Sequence, residues 1–336
     1  MLIVAFRALG KTDTLCPDGR NAEGREMQRW RGYESVPGGW GRSVVTIGVF
    51  DGVHRGHQAI IGHAVKRARD LGMQSVVMTF DPHPAEVVRP GSHPAVLTEP
   101  VRKAELIEQL GVDALCVVPF TPGFSQLTPE AFVHDVLVEA LHAANVVVGD
   151  NFRFGHRAAG DVALLERLGR QFGFTVEEAP LVSENGLVFS STYIRSCVDA
   201  GDVRAAAAAL GRPHRLAGVV VRGDQRGREI GFPTANLMTH RYAAVPADGV
   251  YAAWLIRGGE HAGRLPASVS IGTNPTFSGR ERRVEAYVLD FAGDLYGEKL
   301  SLDFVAHLRE QRVYEGIEPL VAQIREDVEE TRALLH

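Results

Sequence analysis

Cysteine is scarce in this chain: Cys16, Cys116 and Cys197 are its only three, widely separated among 336 residues. Such a set supplies neither a disulfide framework nor a Cys-x-x-Cys metal site. Long apolar runs are missing as well. No stretch approaches the ~18 residues of a membrane-spanning helix, and the start lacks the charged, apolar and small-residue order of a secretory signal. The cytoplasm is the expected compartment, with no membrane partner. A positive excess is also absent, the formal net charge being -5 although Arg far outnumbers Lys. That balance argues against a general nucleic-acid binder, and the Arg bias is attributed to a G+C-rich genome. Internal repeats and low-complexity segments are not found. What is present is 45% hydrophobic and 23% charged, which suits two compact domains of the usual ~100 to 200 residues each.

The most informative stretch runs from Val44 to His57. Val44 to Phe50 is apolar and β-branched enough for a buried strand, and an Asp51-Gly52 turn leads through His54-Arg55-Gly56-His57 to a helical pattern over Gln58–Asp70. Ligands of open α/β sheets sit at that end of a strand. A helix N-terminus offers unpaired NH groups and the positive end of its dipole, and positions i and i+3 share a face, so His54 and His57 can converge on one anion. Gly52 and Gly56 permit close backbone approach. A turn with two solvated histidines fits the spacing equally well. A zinc pair is disfavoured, because no cysteine is near and His63 falls on another helical face.

Strand and helix patterns alternate to about Leu210. Strands are predicted over Ser75–Phe80, Ala114–Pro119, Asn145–Gly149 and Phe174–Ala179, with helices over Val101–Leu110, Pro129–Leu141 and Gly160–Gln171. This is the pattern of a doubly wound parallel α/β sheet. Gly211-Arg212-Pro213 stops a helix and marks a boundary. Beyond it the pattern becomes mainly β, with short strands over Gly218–Val221, Val250–Ile256, Ala267–Ile271, Val284–Asp290 and Lys299–Val305, then a helix over Ile317–Leu335. A small antiparallel barrel with a C-terminal helix is expected. The domains are therefore drawn at 27–212 and 213–336. Lys11 to Glu26 is polar with little periodicity, and 1–26 are read as a disordered or non-native extension, with Met27 a candidate start; a short strand over Leu2–Phe6 followed by a loop is the other reading.

Three further clusters lie in the first module. Thr79-Phe80-Asp81-Pro82-His83-Pro84 follows a strand, and its prolines hold a loop that is either a ligand-facing surface or a stiff connector. Gly149-Asp150-Asn151-Phe152-Arg153-Phe154 combines an amide, a cation and two rings suited to a planar heterocycle bearing phosphate. Ser190-Ser191-Thr192-Tyr193-Ile194-Arg195 places hydroxyls at a helix N-cap with a cation one turn on, which serves an anion or ordinary capping alike. In the second module, Gly223-Asp224-Gln225-Arg226-Gly227 and Gly231-Phe232-Pro233-Thr234-Ala235-Asn236 form turn-rich loops able to cradle phosphates, with oxygens suited to magnesium.

Together these motifs resemble the bacterial bifunctional riboflavin kinase/FAD synthetases over roughly Met27 to Leu335. His54-x-Gly56-His57 and Ser191-Thr192-x-Ile194-Arg195 are similar to the nucleotidyltransferase signatures of the FMN adenylyltransferase domain; Pro233-Thr234-Ala235-Asn236 and Glu285 are similar to the riboflavin kinase signatures. The resemblance implies that riboflavin is phosphorylated to FMN by the second module, and that FMN is adenylylated to FAD by the first, each step using ATP and Mg2+. It assigns catalysis to His54, His57, Arg195 and Glu285, the last as general base. ATP contacts fall to Gly48, Phe50, Asp51, Gly52, Gly56, Ser191 and Thr192 in one module, and to Gly223, Arg226, Gly227, Gly231, Pro233 and Arg309 in the other, Arg309 on a flap. Flavin contacts fall to Asp81, Asn151, Phe152 and Asn274, and the metal to Thr234 and Asn236. Tyr314 and Tyr287 stand where the family commonly has Phe and His. Any self-association is expected to be weak. The alternatives are a flavin-binding regulator with one or both activities lost, or a kinase whose first module takes another phosphate-bearing substrate.

Overall fold

The computed structural model describes residues 26–91, 93–179, 183–184, 187–224, 226–276 and 279–335. The expectations for residues 1–25, including a strand over Leu2–Phe6, lie outside the described residues. The first sheet has six parallel strands: β1 (Gln28–Arg31), β2 (Ser43–Ile47), β3 (Gln74–Asp81), β4 (Ala114–Pro119), β5 (Ala143–Gly149) and β6 (Thr175–Ala179). Their order is β1-β4-β3-β2-β5-β6. Every residue of β2 is buried, as befits a central parallel strand covered on both faces. The chain winds outward from β2 to β4, then returns to lay β5 on the other flank of β2. Strand order therefore reverses between β2 and β5, and the crevice at their C-terminal ends is the natural ligand position.

Strand β2 ends at Ile47, three residues before the expected Phe50. Phe50 adopts φ 51° and folds its buried ring back over Gly48, where a Cβ would stand 2.9 Å from ring carbons. The tight return lets α1 (Arg55–Leu71) begin before the predicted Gln58. Its buried face comprises Ile61, Ala64, Val65 and Ala68, and left-handed Gly72 ends it. Helices α2 (Pro84–Val88) and α3 (Pro100–Glu108) follow β3. The element predicted over Pro129–Leu141 is helical, but Phe132–Ala140 is a π-helix, extended by the Leu141 N–H bonding Val136 O at 3.0 Å. Strand β1 carries no strand pattern in its sequence, because Gln-Arg-Trp-Arg gives the core only Trp30, which meets Trp40 edge-on at 4.5 Å.

A hairpin, β7 (Ser183–Glu184) and β8 (Leu187–Val188), precedes helices Ser191–Asp199 and Val203–Leu210. The closed antiparallel barrel then comprises β9 (His214–Val221), β10 (Thr234–Thr239), β11 (Gly249–Arg257), β12 (Gly263–Thr276), β13 (Gly279–Val288) and β14 (Lys299–Arg309), in the order β10-β13-β12-β11-β14-β9. Leu216, Tyr251, Ile271 and Phe304 fill its core, which Val203 also enters. The helix Ile317–Leu334 closes the chain. The sequence pattern places Thr234–Asn236 in a turn-rich loop, since the glycines and proline before β10 mask its period. In fact Ala235 and Leu237 point into the barrel while Thr234 and Asn236 share the other face.

The modules are joined by backbone. Val96 and Ala243 form a parallel bridge, with Val96 N–H donating to Tyr242 O at 2.7 Å and Ala244 N–H to Val96 O at 2.9 Å. Lys299 and Glu99 add an ion pair at 2.9 Å.

Candidate functional sites

At the strand-order reversal, His54 caps α1: its Nδ1 accepts the His57 backbone N–H at 3.3 Å. An imidazole that accepts at Nδ1 carries its proton on Nε2, so His54 presents a donor there. The His54 and His57 rings stack at 3.6 Å between centroids and 24° between planes. A Cβ at Gly56 would come within 3.0 Å of the His54 ring, so this glycine makes room for the pair. Burial pushes His54 down to about 4, with Asp51 opposing and Arg212 and Arg195 assisting. Burial, then the proximity of His54, holds His57 well below the ordinary histidine range. Both rings are therefore neutral at pH 7 and offer N–H donors without net charge. His63, on a different face, pairs with Glu177 at 2.7 Å.

The Asp51 side chain is engaged by the protein itself. Its buried carboxylate accepts the backbone N–H groups of Leu97 and Thr98 at 3.1 Å. Arg195 Nη2 meets it at 2.6 Å, while Arg195 Nε bonds Ala95 O at 2.6 Å. Ser191 Oγ bonds Asp51 O at 2.9 Å, and Ser190 caps the same helix through Tyr193 N–H. The structure thus gathers Asp51, Ser191 and Arg195 around the histidine loop, with Thr192 exposed on the helix's first turn. Arg195 is engaged as a strut within this cluster instead of standing as an open cation. Asn151 and Phe152 follow β5 across the crevice, the Phe152 ring stacked on Phe154 at 5.6 Å. Asp81 ends β3 on the wall of a cavity of about 370 Å³, which lies between the first sheet and the barrel residues His214–Ala217 and Tyr242–Ala244.

Two residues here were missed from sequence. Arg212 clamps the loop, its Nη2 donating to Gly52 O at 2.5 Å and its Nη1 to Val53 O at 3.1 Å. Burial lowers it to about 10. Lys103, on α3, donates to Val49 O at 3.2 Å and Thr79 Oγ1 at 3.3 Å and lines the cavity. In the sequence Arg212 belongs to a helix stop and Lys103 to the helix predicted over Val101–Leu110; only the sheet's topology brings them here.

In the barrel, Asn236 lies opposite Glu285 and Thr234 opposite Tyr287 across β10 and β13. Thr234 Oγ1 stands 3.5 Å from Glu285 Oε2. The Phe232 and Tyr287 rings meet edge-on at 5.2 Å. A Cβ on Gly223 would fall 2.5 Å from Asn236 Nδ2, so the first turn packs flush on the strand. Phe232 N–H bonds Gly227 O at 2.7 Å, and Gly231 takes φ 88°, bringing the two turns against Pro233. Arg226 begins a short helix between them, and Asn274 lies within β12. This oxygen-rich face is suited to a hard cation held partly by phosphate. Among the described residues no three His, Cys, Asp or Glu side chains form a metal cluster. The Arg309 guanidinium is not brought to this face. It makes a bidentate pair with buried Asp327 at 2.8 and 2.7 Å, which fastens β14 to the C-terminal helix. Gln311, also missed, donates to Ser270 Oγ and Ile271 O at 2.9 Å, Ser270 being the residue opposite Glu285 on β12.

Two family models match: residues 38–193 match one described as FAD synthetase, and residues 210–335 one described as riboflavin kinase. Curated proteins named bifunctional riboflavin kinase/FMN adenylyltransferase are similar along most of the chain. That of Escherichia coli (strain K12) is 37% identical over 284 residues, covering 84% of this chain and 90% of its own. That of Pseudomonas fluorescens is 39% identical over 309 residues, covering 92% and 98%. A crystal structure from Streptococcus pneumoniae, described as a macrolide-efflux protein, matches with a TM-score of 0.82 and 32% identity over 91% of this chain and 98% of its own. No helix among the described residues is long and apolar enough to cross a membrane.

Proposed function

This chain belongs to the bifunctional riboflavin kinase/FMN adenylyltransferase family, and from that premise we propose which of its residues carry each reaction. The enzyme phosphorylates riboflavin to FMN and adenylylates FMN to FAD, with ATP as donor in both steps. The division of labour follows the two modules, 27–212 and 213–336.

In the first module, an FMN phosphate oxygen attacks the α-phosphorus of ATP as the bond to pyrophosphate breaks. No covalent enzyme intermediate is needed, so the protein's task is to position the phosphates and disperse their charge. The stacked His54–His57 pair at the N-terminus of α1 is the observation that carries this reading. His54 Nε2–H, His57 and the helix terminus donate to phosphate oxygens. Gly48, Phe50, Gly52 and Gly56 shape the loop, Asp51 fixes it to segment 95–98, and Ser191, Thr192 and Arg195 complete it. Asp81, Asn151 and Phe152 face the flavin.

In the second module, Glu285 takes the proton of the riboflavin 5′-hydroxyl as that oxygen attacks the γ-phosphorus and ADP departs. Gly223, Arg226, Gly227, Gly231 and Pro233 form the ATP loops, with Asn274 toward the flavin. Thr234 and Asn236 hold magnesium, which when bound neutralises phosphate charge. Arg309 contributes through the frame of β14. The protein works in the cytoplasm, with self-association at most weak. Separate assays with riboflavin or FMN plus magnesium-ATP test the reading: FAD formed from FMN supports it, and no FAD from FMN overturns it.

A further inference from the structure

Lys103 stands where two strand ends meet the cavity. Its ammonium has three N–H donors, of which one goes to Val49 O at 3.2 Å and one to Thr79 Oγ1 at 3.3 Å. Both partners are neutral, and among the described residues no carboxylate forms an ion pair with Lys103. Asp51 and Asp81 share the cavity wall with it. The Asp51 carboxylate is occupied by Arg195 and two amides. A half-buried cation without a paired anion carries a desolvation cost that a bound anion would offset. The site therefore holds a cation in reserve, beside the turn that bears His54 and His57.

We propose that Lys103 is a further catalytic residue of adenylyl transfer, its ammonium bonding a phosphate oxygen of FMN or ATP. This rests on the reading of the first module as the adenylyltransferase. As the FMN oxygen bonds to the α-phosphorus and the bond to pyrophosphate breaks, the ammonium keeps its proton and balances negative charge. Burial lowers its proton affinity, but Asp51 and Asp81 act to sustain the charged form. Burial lowers the proton affinity of two histidines close enough to feel its charge, His57 and His83, and Glu86, His93 and Glu99 also line the cavity.

The test compares Lys103→Met and Lys103→Arg in the full chain, with FAD and FMN formation measured separately. Lys103→Met should lower kcat/KM for FAD formation about 10²-fold while kinase turnover stays unchanged, and Lys103→Arg should recover most of the loss. A rise confined to the KM of FMN identifies the FMN phosphate as the partner, and one confined to ATP identifies its phosphates. A Met variant within about threefold of the parent, or Met and Arg variants equally impaired, overturns the proposal. Amine acylation of the parent, mapped by mass spectrometry, is independent of variant folding. Protection of Lys103 by FMN or ATP but not by riboflavin or adenosine is expected, and equal labelling in all four overturns it. If the parent itself makes no FAD from FMN, the adenylyltransferase reading fails and Lys103's role with it; if it does, these outcomes bear on Lys103 alone.

Discussion

Arg195 and Asp51 meet at 2.6 Å, 144 residues apart in sequence, and their pair ties the helix Ser191–Asp199 to the turn that precedes α1. Because Asp51 also receives two amides from segment 97–98, one carboxylate fixes the histidine loop to the segment that bridges the barrel. Asp51→Asn should leave Arg195 without its anion. Breaking a well-buried pair costs about 3 to 5 kcal/mol, and the partial exposure of Arg195 places the expected loss near the low end, about 3 kcal/mol. Urea unfolding of the first module should show this, with FAD synthesis impaired and kinase activity retained.

His57→Ala should reduce FAD formation by about 10²- to 10³-fold, equivalent to ~2.7 to 4 kcal/mol of barrier. Glu285→Gln should reduce FMN formation from riboflavin and leave adenylylation of supplied FMN intact. Chromatographic separation of riboflavin, FMN and FAD reads both outcomes. Loss of both activities from either change, with the fold preserved, would contradict separate sites.

Histidine burial makes stability depend on acid. His54 binds its proton at about 4 when folded, below the ordinary value of 6.5, so the unfolded chain takes up the proton first as pH falls. Its contribution is complete above about pH 6.5 and is lost progressively down to about pH 4, amounting to about 3 kcal/mol. His57, also depressed, adds in the same direction. His54→Asn keeps an N-cap acceptor but removes the titration, so its urea midpoint should fall less steeply than the parent's between those pH values.

Arg309→Ala should destabilise the barrel by about 3 kcal/mol, because Asp327 would remain as a buried, unpaired carboxylate. Faster proteolysis within Ile317–Leu334 and a lowered melting temperature should accompany it. Asp327→Asn should produce the same phenotype, whereas a direct ATP contact by Arg309 would raise the KM for ATP only in the Arg309 variant.

The elements legible in sequence were those whose pattern is local. Ala114–Pro119 is continuous and β-branched enough to be read to the residue, and the serine-rich run before Tyr193 announced its cap. β1 escaped because an edge strand buries little, and β10 because its period is short and follows turn residues. The motifs marked the histidine loop and the Thr234–Glu285 face, but the partners of Arg195 and Arg309 are fixed only by tertiary structure. Lys103 had no local signal at all, since its surroundings come from the ends of β2 and β3.

Arg212, which closes the histidine loop, stands two residues before β9 begins. The covalent thread between the two catalytic halves is thus also a fastening of the first. A gene split after Leu210 would leave the barrel with all six strands but deprive its former neighbour of that fastening. Longer spacers inserted between Arg212 and His214 would preserve the fastening while loosening the union, so the two modules inherit unequal freedom to evolve apart.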